Sequence, residues 1–295
     1  MYKLLDWIDI TKIDWEVLSA NPYAIHLLLK NPHRINWTWL SGNHNDLAIH
    51  LLEQNPDKIN WTWFLSKNPR AIRLLEQNPD KIDWYYLSAN TGAIHILEQN
   101  PDKIDWFSLS QNRNAMHILE TNPDKIYWTL LSQNRGAIRL LEQHPDKIDW
   151  QILSANPDAM NLLEQNSDKI DWNWLSGNPH DSAIRILEQN PDKINWTWLS
   201  GNSHTLAIRL LEQNIDKIDW YQLSGNTGFG VMNLLKQHPE KIYWNQLSKN
   251  PSIFTLDYTW LEKCMNIFKE ELLAVALHPD RIQFWLEEGM DIEDL

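Results

Sequence analysis

The sequence predicts an all-α fold, an α-solenoid of about eleven short two-helix repeats with a cap at each end. The first observation is a tryptophan that recurs every 22 to 24 residues through most of the 295-residue chain. The second is that apolar residues inside each repeat follow helical spacing. The third is that asparagine, proline and aspartate recur where a helix would begin or end. The recurring tryptophans are Trp15, Trp37, Trp61, Trp84, Trp106, Trp128, Trp150, Trp172, Trp196, Trp220 and Trp244.

The recurring tryptophans divide the chain into three predicted parts. Residues 1–11 are expected to form an N-terminal cap, residues 12–250 the repeat array, and residues 251–295 a C-terminal helical cap with an acidic tail. Caps are expected because an open stack exposes the cores of its end units. If each unit adds about one helix diameter, near 10 Å, the array is on the order of 100 Å long. The pattern leaves the handedness open.

Each unit follows the consensus K-I-[DN]-W-x-x-L-S-x-N-x-x-A-I-x-L-L-E-Q-N-P-D. Its second half, such as AIRLLEQN at 71–78, predicts a helix that follows an asparagine N-cap and ends at the next Asn-Pro, because proline lacks an N–H. The first half predicts another short helix. Its start remains open between Asn-Pro-Asp and the Asp or Asn directly before the tryptophan. Helices of about two turns are marginal alone, so neighbouring units must stabilise them.

Four units carry two extra residues between S-x-N and the second helix. In these units the middle residue of S-x-N is glycine, namely Gly42, Gly177, Gly201 and Gly225. Because glycine readily adopts a left-handed conformation, we expect it to end the first helix in an αL cap. Insertions at one place in the unit indicate one variable edge of the solenoid.

A leucine-rich-type horseshoe is the alternative fold, since 22 residues falls within the range of that repeat. The unit has no L-x-L strand, and it has two helix caps in each period. Both features favour the helical repeat.

The tryptophan ladder has a structural and a binding interpretation. A row of tryptophans could stack nucleic-acid bases or grip proline-rich peptides. The strict recurrence, with Ile two residues before and Leu three after, instead predicts that each tryptophan is the large core residue of its unit. Trp39, Trp63, Trp174 and Trp198 do not recur in every unit, so we interpret them as candidate surface residues for a partner.

A second ladder, which we call the donor ladder, occupies the variable position of A-I-x-L-L. A row reading RNA bases is disfavoured by the net charge of −13. A shared zinc is disfavoured because adjacent helices lie about 8–10 Å apart. Pairing with the glutamate three residues later, such as Arg73 with Glu76 and Arg139 with Glu142, and recognition of a protein partner both stay open. The candidate partner-binding residues are His26, His50, Arg73, His95, His117, Arg139, Arg185 and Arg209, with Asn161 and Asn233 at the same position.

The remaining polar features predict no catalysis. The recurring Asp-Lys pairs are interpreted as a solvated edge. No phosphate loop, G-x-S-x-G, H-E-x-x-H or Cys-x-x-Cys motif occurs, so we expect no enzyme activity, no cofactor and no metal site. The single cysteine, Cys264, is expected to be a buried structural thiol, and it fits a reducing intracellular compartment. No apolar run is long enough for a membrane span, and the start does not resemble a signal peptide.

The C-terminal segment has its own pattern and charge. Residues 251–295 carry ten acidic residues and three basic ones. A helix of about 20 residues is predicted from 257, followed by another short helix and an acidic end. A partner-docking tail is the alternative to a simple cap.

LEQNPDKIDW-x-x-LS units that end in a tail like ALHPDRIQFWLEEGMDIEDL resemble repeat proteins encoded by large DNA viruses of amoebae, the marseillevirus and mimivirus groups. The likeness covers nearly the whole chain. It implies expression during infection, in the host cytoplasm or viral factory, with the virion as the other location. It brings no activity or functional residues with it.

These observations predict a non-enzymatic protein–protein interaction scaffold that presents the donor ladder to a host or viral protein, or to itself. The alternative is a structural or self-assembling viral component, in which the acidic tail of one copy meets the donor ladder of another.

Overall fold

A computed structural model describes residues 2–276, 278 and 281–283. The prediction of an all-α repeat fold is confirmed. Leu5–Ile253 form one compact unit of eleven repeats, which we number 1 to 11 by their recurring tryptophans. The described residues before Leu5 and after Ile253 belong to a second compact unit.

Each repeat begins with a helix of one to two turns. These first helices span Trp15–Leu18, Trp37–Ser41, Trp61–Leu65, Trp84–Ser88, Trp106–Leu109, Trp128–Gln133, Trp150–Leu153, Trp172–Ser176, Trp196–Ser200, Trp220–Gly225 and Trp244–Lys249. The second helices of repeats 1 to 10 span Ile25–Leu29, Asp46–Glu53, Ile72–Glu76, Ile94–Gln99, Met116–Glu120, Ile138–Gln143, Met160–Gln165, Asp181–Gln189, Thr205–Glu212 and Val231–Gln237. In repeat 11 a 3-10 turn, Pro251–Ile253, takes the place of the second helix.

The residue before the recurring tryptophan sets the start of the first helix. In repeat 5, Oδ1 of Asp105 accepts a hydrogen bond from the Ser108 backbone N–H at 2.8 Å. The Pro-Asp-Lys segment forms a separate 3-10 turn, such as Pro101–Lys103. Of the two starts that the sequence left open, the structure therefore has the one directly before the tryptophan.

The asparagine before Pro-Asp-Lys caps the end of the second helix. Nδ2 of Asn100 donates to the Ile96 carbonyl oxygen at 2.8 Å, which satisfies one of the last free carbonyls of that helix. The asparagine of S-x-N caps a turn that leads into the second helix, and not the α-helix itself as predicted. In repeat 7, Oδ1 of Asn156 accepts from the Asp158 N–H at 3.1 Å, at the start of the 3-10 turn Pro157–Ala159.

The glycines of the four inserted units do not form αL caps, so that prediction is wrong. The φ angles of Gly42, Gly177 and Gly201 are −89°, −86° and −85°, all right-handed. At two of these positions glycine is instead required because a larger side chain would not fit. A Cβ at Gly42 would lie 3.0 Å from Phe64, and one at Gly177 would lie 3.2 Å from Trp198.

The fully buried apolar side chains of the repeats are mainly leucine and alanine, and none of the recurring tryptophans is fully buried. In repeat 6, Leu131, Ala137 and Leu141 each have 0% exposure. The recurring tryptophans are half-buried, so the prediction that they are the large core residues is wrong.

A cation from the following repeat covers most of the recurring tryptophan rings. Nζ of Lys125 lies 4.4 Å from the ring centre of Trp106, and the same contact recurs in nine repeats. Next to Trp128 and Trp220 a histidine ring, His144 or His238, lies at 4.9 or 5.0 Å. The Asp-Lys turn is thus an inter-repeat contact through cation–π attraction, not only a solvated edge.

A buried serine and a buried asparagine in S-x-N join each repeat to its neighbours. Oγ of Ser110 accepts from the Tyr127 N–H of the next repeat at 3.0 Å. Nδ2 of Asn112 donates to the carbonyl oxygens of Ser88 and Asn90 in the preceding repeat, both at 3.0 Å. The serine bond occurs in all eleven repeats, and every one of these serines and asparagines is buried. Buried polar groups that are fully paired in this way fix the register of stacking.

Repeat 11 contacts repeat 1 through the same bonds. The Asp14 N–H donates to Oγ of Ser248 at 2.9 Å, and Nδ2 of Asn21 donates to the Ser248 and Asn250 carbonyls at 3.3 and 3.2 Å. Nζ of Lys12 lies 5.4 Å from the Trp244 ring centre. The repeats therefore form a closed ring, and the expectation of an open array is wrong. The end repeats bury each other's apolar faces, which is the role that the sequence had predicted for terminal caps.

The second compact unit contains a two-stranded sheet and one long helix among its described residues. Strand β1, Tyr2–Leu4, pairs antiparallel with strand β2, Phe254–Leu256. The C-terminal helix, Tyr258–Ala276, is the longest in the described part of the chain. Cys264 is half-buried in it, not fully buried as expected. The acidic end and most of the predicted last short helix, residues 284–295, lie outside the described residues.

Candidate functional site

Large aromatic side chains occur in the first helices or directly before them, within three residues of the recurring tryptophan. Exposure reaches 52% for Trp63 and 51% for Tyr127, which is high for side chains of this size. Exposed aromatic groups of this kind are the usual anchors of protein interfaces. We call the following set the aromatic surface: the exposed Trp63, Tyr85, Phe107, Tyr127, Trp198, Tyr221 and Tyr243, together with the half-buried Trp39, Phe64 and Trp174.

Members of the aromatic surface contact each other across repeat boundaries. The rings of Tyr85 and Phe107 stack at 6.4 Å and 19°, and Phe107 meets Tyr127 edge-on at 5.3 Å. Tyr221 and Tyr243 meet at 5.4 Å. The packing of successive first helices brings these residues together, although they are about one repeat apart in the sequence.

Repeats 2 and 3 build the cluster with the most unusual backbone. Trp61–Leu65 is a π-helical turn that absorbs one extra residue, since Leu65 stands four positions after the recurring tryptophan instead of three. The ring centre of Phe64 lies 5.1 Å from that of Trp39 and 4.8 Å from that of Trp63. The turn keeps Leu65 and Ser66 buried while adding the half-buried ring of Phe64 beside the exposed Trp63. Single π-turns of this kind occur frequently at functional sites.

A second cluster lies in repeats 8 and 9. Trp174 and Trp198 have ring centres 5.1 Å apart. A groove of about 400 Å³ beside them is lined by Gly177, Thr197, Trp198, Gly201 and Gln222. The glycines of the inserted units keep this groove open, because a side chain at Gly177 would press against the Trp198 ring.

The sequence located part of the aromatic surface. Trp39, Trp63, Trp174 and Trp198 all belong to it. The tyrosines and phenylalanines of this surface were not predicted from the sequence. The signal was present, since these residues occupy the positions flanking the recurring tryptophan, which vary from unit to unit.

The donor ladder lies on the second helices and is partly occupied by neighbouring side chains. Nε2 of His95 lies 2.7 Å from Oε1 of Glu76, and Nε2 of His117 lies 2.8 Å from Oε1 of Glu98, both in the preceding repeat.

Two further members of the donor ladder pair within their own helix. His50 lies 3.6 Å from Glu53, and Arg185 lies 3.9 Å from Asp181. Within the part of the chain that the structure describes, neither Arg73 nor Arg139 has an ion pair, so the predicted bonds to Glu76 and Glu142 are absent.

The donor-ladder residues also differ in exposure to solvent. Arg73, Arg139, Arg185 and Arg209 are exposed, as are Asn161 and Asn233. His26 is half-buried, and burial lowers its pKa from the ordinary value. The neutral form of His26 is therefore favoured in the fold.

The described residues contain no group of three or more His, Cys, Asp or Glu side chains placed to share a metal ion. Over the same residues, no helix is long and apolar enough to cross a membrane. Comparison with protein-family models, curated proteins and solved structures gave no match to the chain.

Proposed function

We propose that the chain is a non-enzymatic protein–protein interaction scaffold whose aromatic surface binds a protein partner. The observation that carries this proposal is the cluster of Trp39, Trp63 and Phe64. There the backbone departs from the repeat consensus to accommodate an extra aromatic residue, the half-buried Phe64. Its ring packs beside Trp39 and the exposed Trp63, and Gly42 leaves room for that ring. A residue that served only stacking would not need this departure, because ten other repeats stack without it.

The closed ring supports this role physically. Aromatic hot spots contribute most when they are held rigidly before binding, since little side-chain entropy is then lost. The buried serine and asparagine bonds fix every first helix against both neighbours. The aromatic surface is therefore a preorganised apolar face on a polar framework.

The donor ladder is a second candidate face, on the second helices. Its four arginines remain exposed and could contact acidic or carbonyl-rich segments of a partner. Contacts of this kind at a solvated rim contribute less to affinity than buried aromatic anchors do. We therefore rank it below the aromatic surface.

A capture experiment with matched variants tests the proposal. The intact chain, a Trp39→Ala/Trp63→Ala variant and a variant with Arg73, Arg139, Arg185 and Arg209 changed to Gln are each incubated with lysate from amoebae, infected or uninfected. We expect one protein to be retained by the intact chain and by the arginine variant, and to be lost with the tryptophan variant. Direct binding is then measured with the purified partner, with circular dichroism as the control for folding.

The opposite pattern, in which only the arginine variant loses the partner, would show that the partner binds the donor ladder and not the aromatic surface. Equal retention by all three would overturn both assignments. The choice of amoebal lysate rests on the resemblance to viral repeat proteins, and with it we propose a location in the host cytoplasm, the viral factory or the virion.

The alternative function is a self-assembling structural component in which the acidic C-terminal segment of one copy meets the donor ladder of another. Such assembly would rest on opposite charges, so it would weaken as salt rises. Association of the purified chain that is abolished by salt and by the four-arginine variant would favour this alternative over a scaffold for a different protein.

A further inference from the structure

The C-terminal helix carries an apolar seam with a seven-residue period. Tyr258, Met265 and Leu272 are seven apart, and so are Leu261, Phe268 and Val275, which fall three residues after them. This is the a and d pattern of a coiled coil over nearly three heptads. The helix also has a side-chain cap at its start, because Oδ1 of Asp257 accepts from the Trp260 N–H at 3.1 Å.

Five of the six seam residues face solvent. Tyr258, Met265, Phe268 and Leu272 are 64 to 69% exposed, Val275 is 59% exposed, and Leu261 is half-buried. A groove of about 500 Å³ runs along this face, lined by Met265, Phe268, Leu272 and their neighbours. Side chains of this size in a regular stripe are uncommon on a surface without a partner. A groove of this kind can accept the side chains of a second helix packed in knobs-into-holes fashion.

The charges beside the seam indicate which helix would pack against it and in which direction that helix would run. Positions e hold Glu262 and Lys269, and positions g hold Asp257, Cys264 and Glu271. In a parallel pair of identical helices, g faces e of the partner, so Asp257 would lie beside the second copy's Glu262, a repulsion. In an antiparallel pair, e faces e, so Glu262 of each copy lies beside Lys269 of the other. The antiparallel pair thus gains two attractive contacts.

We propose that the C-terminal helix forms a two-fold, antiparallel coiled coil with the same helix of a second copy of this chain. The a and d layers then pair Tyr258 with Val275, Leu261 with Leu272, and Met265 with Phe268 across the interface. The last pair places a thioether against an aromatic ring, a favourable contact. Each layer occurs twice, as a closed two-fold interface requires.

Sedimentation equilibrium of the full chain over a range of concentrations tests the association. The intact protein is expected to approach twice its mass of 34.9 kDa. Phe268→Glu, which places a charge in the centre of the seam, is expected to weaken the dimer by about a hundredfold or more. Ile267→Glu is the matched control, because Ile267 is an equally apolar residue of the same helix, 57% exposed, that lies off the seam.

A chain that is monomeric at every concentration would overturn the proposal and point to a different protein as the occupant. A dimer that Phe268→Glu leaves unchanged, or that Ile267→Glu weakens equally, would also overturn it. Circular dichroism of each variant shows that the repeats remain folded.

The direction of the helices is tested by charge reversal. In the antiparallel dimer Glu262→Lys creates two like-charge pairs with Lys269, so association should weaken by about threefold to tenfold at low salt. The double variant Glu262→Lys/Lys269→Glu should restore it. In a parallel dimer Glu262→Lys would instead relieve the repulsion from Asp257 and strengthen association, which would overturn the antiparallel assignment.

Discussion

The joint between repeats 5 and 6 and the joint between repeats 11 and 1 use the same chemistry at very different sequence distances. At the first, Ser110 accepts from the Tyr127 N–H at 3.0 Å across 17 residues. At the second, Ser248 accepts from the Asp14 N–H at 2.9 Å across 234 residues. The lysine that covers the neighbouring tryptophan lies at 4.4 Å in one joint and 5.4 Å in the other.

The comparison shows that a repeat joint does not depend on chain connectivity. The entropic cost of closing a loop grows only slowly with its length, so the distant joint can form once the per-repeat rotations bring its two faces together. In an open solenoid the end repeats have one neighbour each and open first. In the closed ring every repeat has two neighbours, so we expect the joint between repeats 11 and 1 to be as stable as the internal ones.

The largest loss of stability is expected from changes to core leucines, one at the internal joint and one at the joint that closes the ring. Leu131 in repeat 6 and Leu247 in repeat 11 are both 0% exposed. Each change to alanine should lower the free energy of unfolding by about 2 to 5 kcal/mol, and the two losses should be similar. Urea unfolding followed by circular dichroism measures both. A loss for Leu247→Ala well below that for Leu131→Ala would show that repeat 11 is open in solution.

A smaller effect is expected from the buried asparagines. Asn21→Ala removes the bonds to the Ser248 and Asn250 carbonyls, and Asn112→Ala removes those to Ser88 and Asn90. Each should cost about 1 to 3 kcal/mol, because buried carbonyl oxygens lose their donors. Hydrogen exchange should show lost protection in repeats 1 and 11 for the first variant and in repeats 4 and 5 for the second. Equal exchange of repeats 1 and 11 in the intact and Asn21→Ala proteins would contradict closure.

The periodicity of the sequence was sufficient to predict the repeats, their number and the two helices in most of them. It could not predict closure, because closure depends on a small rotation at each joint, and these rotations add up over eleven repeats. The roles of the serine and asparagine in S-x-N were also missed in part. Their strict recurrence was visible, but only the fold shows that Asn112 reaches backbone carbonyls in the preceding repeat.

The aromatic surface shows a different limit of sequence reasoning. Trp63 was identified because tryptophan occurs at its position in only four of the units, unlike the tryptophan that recurs in every one. Phe64 could not be identified, because its position beside Trp39 and Trp63 depends on a π-helical turn that keeps Leu65 in register. The glycines were read as left-handed caps, whereas Gly42 and Gly177 provide space for a ring from the next repeat. A requirement for space depends on neighbours that the linear pattern does not reveal.

The smallest effect is expected from the lysines that cover the recurring tryptophans. Lys12→Met and Lys125→Met keep most of the side-chain stem but remove the charge over Trp244 and Trp106. Each should lower the free energy of unfolding by about 0.5 to 1 kcal/mol, the size of an exposed cation–π contact. The loss at Lys12 should be the smaller of the two, because its Nζ is 5.4 Å from the ring centre compared with 4.4 Å for Lys125.

Lys147→Met provides the matched control for this measurement. Lys147 occupies the same place in its Pro-Asp-Lys turn, but the ring of His144 lies against Trp128 there, at 4.9 Å. Changing Lys147 should therefore leave stability within experimental error, apart from its exposed contact with Asp146. If all three variants lost the same stability, the effect would come from the general charge of the turn, and the cation–π explanation for the recurring lysine would be wrong at both joints.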